Sequence, residues 1–310
     1  IETYMKPPVT LVLSGGGARG IAHIGVIEEL EQRGYEIASV TGTSMGALVG
    51  GVYADDAMEA FKEWILSLDK LKIFRLIDFN FGRLGMVKGD KVFSKMKDFI
   101  PDTLIEELDI PYAAVAVDLI SYKEVVFRKG SLFDAIRASV SIPSVLTPVK
   151  TKGCLLVDGG VLNNIPINHA PRTPGDLLVV VNVNASIPVK IPEISHEESE
   201  SQRRAYQKKI DEFQSHVKKI MRHHPATKSP KSREEKMGYY KLIDKTISLM
   251  TDHMAKLSMQ EYKPDLLIEV SHDACGTFDF YKAGELVDMG REATQICLKG
   301  YEAGDRKNRA

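Results

Sequence analysis

Ser44 stands at the centre of Gly42-Thr43-Ser44-Met45-Gly46, a G-x-S-x-G pattern between a β-rich run and a run of small residues. Flanking glycines let a sharp strand-to-helix turn lift the hydroxyl clear of the backbone, facing the first N–H groups of the following helix. That is the setting of a nucleophile for acyl transfer. A hydroxyl is weak near neutral pH and needs a base. Asp158 closes another apolar run and opens Gly159-Gly160, a sharp turn that can aim its carboxylate at a site. Burial can lift such a carboxylate toward neutrality, where it can serve as the base itself. The histidines are poorer candidates. His169 follows in a loop; His196, His216, His223 and His224 fall in a charged stretch; His253 and His272 lack a triad-like context. The plain alternatives are a chance small-residue turn at Ser44 and an Asx-turn at Asp158.

A third motif, Gly15-Gly16-Gly17-Ala18-Arg19-Gly20, fits G-x-G-x-x-G after a strand and before a helix. A dinucleotide site would also want an acidic residue about 20 positions on, at the end of the next strand. That strand ends in Thr41-Gly42-Thr43-Ser44, with no carboxylate and no G-K-[ST] sequence. A nucleotide is therefore disfavoured.

These motifs must be held by elements that the apolar pattern places. Val9 to Ser14 reads as a strand, followed by a helix that Gly34 stops. Ile37 to Thr41 is a second strand, followed by the helix ALVGGVYA. A β–turn–α–β–turn–α opening predicts a parallel, helix-flanked sheet. Residues 56 to 110 read as mainly helical, and residues 111–119, 124–128, 154–157, 176–182 and 265–270 as strands. Ser131 to Ser139 and about 281 to 298 read as helices. The chain of 310 residues carries 41 Lys+Arg against 42 Asp+Glu, which argues against a generally basic nucleic-acid binder. Cys154, Cys275 and Cys297 lack any disulfide or metal-ligand spacing and read as three buried thiols in a reducing compartment. No run is long and apolar enough to span a membrane. The first residues carry no cationic leader, so the expectation is a cytoplasmic protein in peripheral contact with membrane. With Ile1 in place of Met, a removed export signal stays open.

Taken together, four blocks in order resemble the bacterial patatin-like phospholipases: GGGARG (15–20), GTSMG (42–46), RASVSIPSVLTPV (137–149) and DGGVLNNIPI (158–167). The resemblance covers residues 8 to 185 well and 278 to 293 moderately. It implies a three-layer α/β/α fold with a mostly parallel sheet. It also implies a Ser–Asp dyad, with Ser44 as nucleophile and Asp158 as general base. The backbone N–H groups of Gly15, Gly16, Gly17 and Ala18 would form the oxyanion hole, with Arg19 at the family's basic position. Gly42 and Gly46 would shape the elbow, and Gly159 and Gly160 the turn after the base. No metal or cofactor is implied, and the substrate would be a lipid carboxylic ester. A soluble acyl ester or thioester, or a non-catalytic binding module, are the other readings.

The departure lies in residues 190–262 of what otherwise reads as one domain over 1–310. Tyr206, Ile210, Phe213, Val217 and Ile220 space as a coiled-coil seam, and Tyr240, Ile243, Ile247, Met250, Met254 and Leu257 repeat it. The expectation is an inserted helical hairpin. Residues 203 to 233 hold ten Lys/Arg against two Asp/Glu, with Arg204, Lys208, Lys218, Lys219 and Arg222 opposite the first seam. Such a face suits anionic lipid. It equally suits a solvated hairpin packed on the core or on a second subunit of a homo-oligomer.

Overall fold

In a computed structural model, residues 6–76, 89–98, 100, 103–143, 145–151, 153–189 and 239–308 are described. The strands are β1 (Val9–Leu13), β2 (Ile37–Thr43), β3 (Tyr112–Asp118), β4 (Lys123–Phe127), β5 (Val149–Thr151), β6 (Cys154–Asp158), β7 (Leu177–Ala185) and β8 (Leu266–Ser271). The helices are α1 (Ala22–Gln32), α2 (Met45–Ala54), α3 (Met58–Leu66), α4 (Lys70–Leu76), α5 (Asp90–Met96), α6 (Leu132–Ser139), α7 (Tyr239–Tyr262) and α8 (Ala283–Asn308). The strands form one sheet, with hydrogen-bonded neighbours running β5-β6-β3-β2-β1-β7-β8 and β4 added to β3. The pairs β1–β2, β1–β7, β2–β3 and β7–β8 are parallel; β3–β4, β3–β6 and β5–β6 are antiparallel.

Alternation along the central strands builds the layers. Val9, Leu11 and Leu13 of β1, with Leu177, Val179, Val181 and Val183 of β7, join a core with α1, α2, α6 and α8. Val12, Leu178 and Val180 point the other way, onto Ile165, Ile167 and Ala255 of α7. Because both faces are covered, these strands read as unbroken apolar runs. The fold is a three-layer α/β/α sandwich.

The main-chain groups of β3 explain how the site is assembled. Successive residues of a strand present their N–H and C=O to opposite edges. Val40 N–H donates to Pro111 O, and Leu119 N–H donates to Leu155 O, so odd-numbered groups of β3 face both β2 and β6. Tyr122 N–H closes on Asp118 O, and the even-numbered side takes β4. Thus β2 and β6 share a single edge of β3. Thr43 lies opposite Val115, and Asp158 opposite the next residue, Ala116. With β2 parallel and β6 antiparallel to β3, their C-terminal ends meet head to head.

Three expectations need correction. The last helix runs on to Asn308, past the apolar stripe, where Glu302 pairs with Lys6 at 3.3 Å and with Arg33 at 3.7 Å. The strand β5 is added to those expected. On α7, Met250 and Leu257 of the second seam are exposed, and the small Ala255 packs on the apolar face of β1 and β7. The other half of the expected hairpin, with its basic face, lies outside the described residues. Cys275 is buried, but Cys154 and Cys297 are only half-buried. Among the described residues no helix is long and apolar enough to cross a membrane.

Candidate active site

Ser44 joins β2 to α2 with φ 55° and ψ −124°, a conformation that non-glycine residues rarely adopt. Such strain costs about 1–3 kcal/mol and persists only where the surroundings enforce it. The enforcement is backbone contact. A methyl group on Gly42 would strike the carbonyl of Gly46, and one on Gly46 would strike the carbonyl of Leu13. The Ser44 N–H donates to Ser139 Oγ at 2.9 Å, and that hydroxyl donates to Val115 O at 2.6 Å. Ser139 therefore bridges Ser44 to β3 just beyond the last paired residue of β2.

Asp158 ends β6. Its Oδ2 accepts a hydrogen bond from Ser44 Oγ at 2.5 Å, and its Oδ1 accepts from Gly160 N–H at 2.8 Å. Its own N–H donates to Ser141 O at 2.9 Å, which fixes the strand end against the segment after α6. Both side chains are buried, at 5% exposure each. Burial lifts the Asp158 carboxyl to about 6, against the opposing pull of the bonds from Ser44 and Gly160.

The glycine turn after β1 lies against this pair: a Cβ on Gly15 would sit 3.0 Å from Ser44 Cβ. Not all of its N–H groups are available. Gly15 N–H is spent on Asn164 O at 3.0 Å and Ala18 N–H on Thr277 O at 2.9 Å. Among the described residues, no acceptor engages the N–H of Gly16 or Gly17, just before a short 3-10 helix over Gly17–Ile21. Arg19 does not face solvent as a simple cap. It donates to Asn184 Oδ1 at 2.8 and 3.2 Å and to Cys275 O at 3.2 Å. Asn184 in turn donates to Gly15 O at 2.6 Å. The turn is thus tied to the end of β7.

The residues singled out in sequence come together: Ser44 with Asp158, Gly42 and Gly46 beneath the elbow, Gly15 to Gly17 beside it. His169 does not join them; its Nε2 lies 2.6 Å from Glu124 Oε2. Ser139, Asn164 and Asn184 were not singled out. The first two lie inside blocks already recognised, whereas nothing local marks Asn184. His23 was overlooked among the histidines. It is fully buried, donates from Nε2 to Ser14 O at 2.8 Å, and leaves Nδ1 without a partner. Burial pushes it down to about 4, so it stays neutral and ties α1 to the end of β1. Among the described residues no cluster of His, Cys, Asp and Glu could hold a metal ion.

A buried serine at a strained elbow, hydrogen-bonded to a carboxylate raised toward neutrality and packed against the glycine turn, has the groups that attack on an acyl carbon requires. Comparison with known proteins agrees with the four blocks. The family model described as patatin-like phospholipase matches residues 11–171. A Mycobacterium bovis protein named an uncharacterized NTE family protein is 33% identical over 98% of this chain and 95% of its own length. The mouse patatin-like phospholipase domain-containing protein 6 is 32% identical over 57% of this chain and 14% of its own. Among solved structures, VipD from Legionella pneumophila aligns at a TM-score of 0.48 and 14% identity, covering 95% of this chain and 67% of that one.

Proposed function

This chain belongs to the patatin-like phospholipase family, and from that premise we propose that it hydrolyses lipid carboxylic esters through a Ser44–Asp158 dyad. The observation that carries the reading is the buried hydrogen bond from Ser44 Oγ to Asp158 Oδ2. Ser44 Oγ attacks the ester carbonyl carbon while its proton passes to Asp158 Oδ2. The resulting oxyanion accepts hydrogen bonds from Gly16 and Gly17 N–H, with Met45 N–H at the start of α2 as a third donor. Pre-aimed donors of this kind are each worth about 3–4 kcal/mol at the transition state. Collapse expels the alcohol, which takes the proton back from Asp158, and leaves an acyl group on Ser44. Water, deprotonated by Asp158, then releases the fatty acid and restores the serine.

The cause of the raised Asp158 value suits this work. A carboxylate near 6 remains mostly ionised at neutral pH and is a better proton acceptor than a solvated one. In the same proposal residues 1–310 act as one domain, with 190–262 inserted between β7 and β8. A fluorophosphonate probe tests the dyad. It should label the native protein and not Ser44→Ala, which should also lose at least about 10⁴-fold in ester turnover. Labelling at another residue, or unchanged turnover in Ser44→Ala, removes the proposal.

A further inference from the structure

We propose that the turn between β3 and β4 docks the molecule on an anionic phospholipid surface, a proposal that rests on reading the site as a lipid hydrolase. Hairpin turns ordinarily use Gly, Asn, Asp, Pro or Ser. Here the connection is Leu119-Ile120-Ser121-Tyr122, and three of its four side chains are large, apolar or aromatic, and exposed: Leu119 at 38%, Ile120 at 60% and Tyr122 at 82%. Tyr122 holds this position at φ 56°, where glycine would be unstrained. A local rule broken twice in one turn calls for a function outside the fold.

The turn is also built to stay in shape. Asp118 is 4% exposed, and its carboxylate accepts from Ile120 N–H, Ser121 N–H, Ser121 Oγ and Leu155 N–H. These bonds hold it well below the usual carboxylate range. A preformed tip loses little conformational freedom on insertion.

Its position relative to the site is the second argument. Ser44 follows Thr43, which lies opposite Val115. The turn begins four residues further along β3, about 13 Å beyond that level and on the same end of the sheet. Beside it projects the turn between β5 and β6, which pairs outward from Leu156 to Thr151. Leu162 (41% exposed) follows the Asp158 turn, and Phe278 (51% exposed) adjoins Thr277, which anchors the glycine turn. The exposed cations Lys123 and Lys150 flank this apolar rim. Apolar tips with an aromatic side chain and flanking lysines match the layered chemistry of an anionic bilayer: acyl chains, interface, charged headgroups. A docked tip would present the esters to Ser44 from the open side.

The test uses the full chain and vesicles of phosphatidylcholine containing about one-third phosphatidylglycerol. Ile120→Ser/Tyr122→Ser should weaken co-sedimentation on the order of 10-fold per side chain. It should leave hydrolysis of a soluble short-chain p-nitrophenyl ester unchanged, because neither residue touches the site. Leu104→Ser, an exposed leucine at the other end of the sheet, should bind like the native protein. Tyr122→Trp should bind normally, and its emission should shift to the blue when vesicles are added. Unchanged co-sedimentation of the double variant overturns the proposal. So does a change confined to self-association measured by light scattering, which would make the tip a contact between copies of this chain. Ser44→Ala separates the two readings. If it keeps esterase activity, the dyad falls while the docking result stands.

Discussion

The two glycine-rich turns that flank the dyad solve opposite problems with the same residue. At the elbow after β2, glycine is demanded by main chain: Gly42 meets the backbone of Gly46, and Gly46 meets the carbonyl of Leu13. At the turn after β1, side chains crowd most of the space. A Cβ on Gly15 would meet Asn164 Oδ1, and one on Gly16 would meet a methyl of Val183, with only Gly17 pressed on a carbonyl, that of Thr277. Backbone cannot yield without moving β1 and α2, whereas a side chain can give way at the cost of local repacking. The elbow is therefore fixed by the fold, and the glycine turn after β1 is adjustable through the residues that hold it.

The largest effect expected from this contrast follows from Gly46→Ala. With strand carbonyls as the obstacle, it should cost at least about 4 kcal/mol and yield little folded protein. Gly16→Ala meets Cγ2 of the buried Val183 and not backbone, so it should cost less than Gly46→Ala while lowering turnover. Thermal melts of both variants check this, and equal losses would erase the distinction.

Next in size is Asp158→Asn, which keeps the shape of the elbow's partner but not its basicity. Turnover should fall on the order of 10²-fold or more, while His169→Ala keeps most activity. Stability should move the other way. The Asp158 carboxyl is near 6 when folded and about 3.9 when unfolded, so the folded state holds the extra proton between those values. Stability from this group is gained as pH falls through 6 and is missing at pH 8. Asp158→Asn should be more stable than native at pH 8 by up to about 3 kcal/mol, with the gain fading toward pH 4. For the native enzyme, kcat/KM should drop about tenfold per unit below pH 6, as the base becomes protonated. A flat profile down to pH 5 would assign the base elsewhere.

The smallest effect sharpens the other side of the comparison. Arg19→Leu removes the bonds to Asn184 and Cys275 that steady the glycine turn. It should lower kcat about tenfold with little change in KM, since the donors matter chiefly when the oxyanion forms. Arg19→Lys should recover part of the loss. A rise in KM at constant kcat would instead make Arg19 a substrate-binding residue.

Most of the frame was legible because central strands are buried on both sides and announce themselves as apolar runs. The strand β5 was missed because Val149–Thr151 is three residues long and mostly exposed, which leaves no pattern. The tail of α8 was missed because Glu302 finds Lys6 and Arg33 far away in sequence. The same limit applied at the site. Ser44 and Asp158 carry local signatures, a glycine elbow and a strand-ending Asp-Gly-Gly. Which N–H groups stay free depends on Asn164 and Thr277, and no spacing rule links those positions to Gly15 and Ala18.

The shared edge of β3 also fixes an order in time. Ser44 and Asp158 are separated by 114 positions in the chain. Synthesis runs from the N-terminus at about 5–20 residues per second, so roughly 6 to 23 seconds pass between the two. A nascent chain that has not yet reached β6 carries Ser44 without the Asp158 carboxylate, however well β1 and β2 have paired. On the proposed dyad, the newborn protein stays chemically silent until β6 emerges and takes the remaining length of β3.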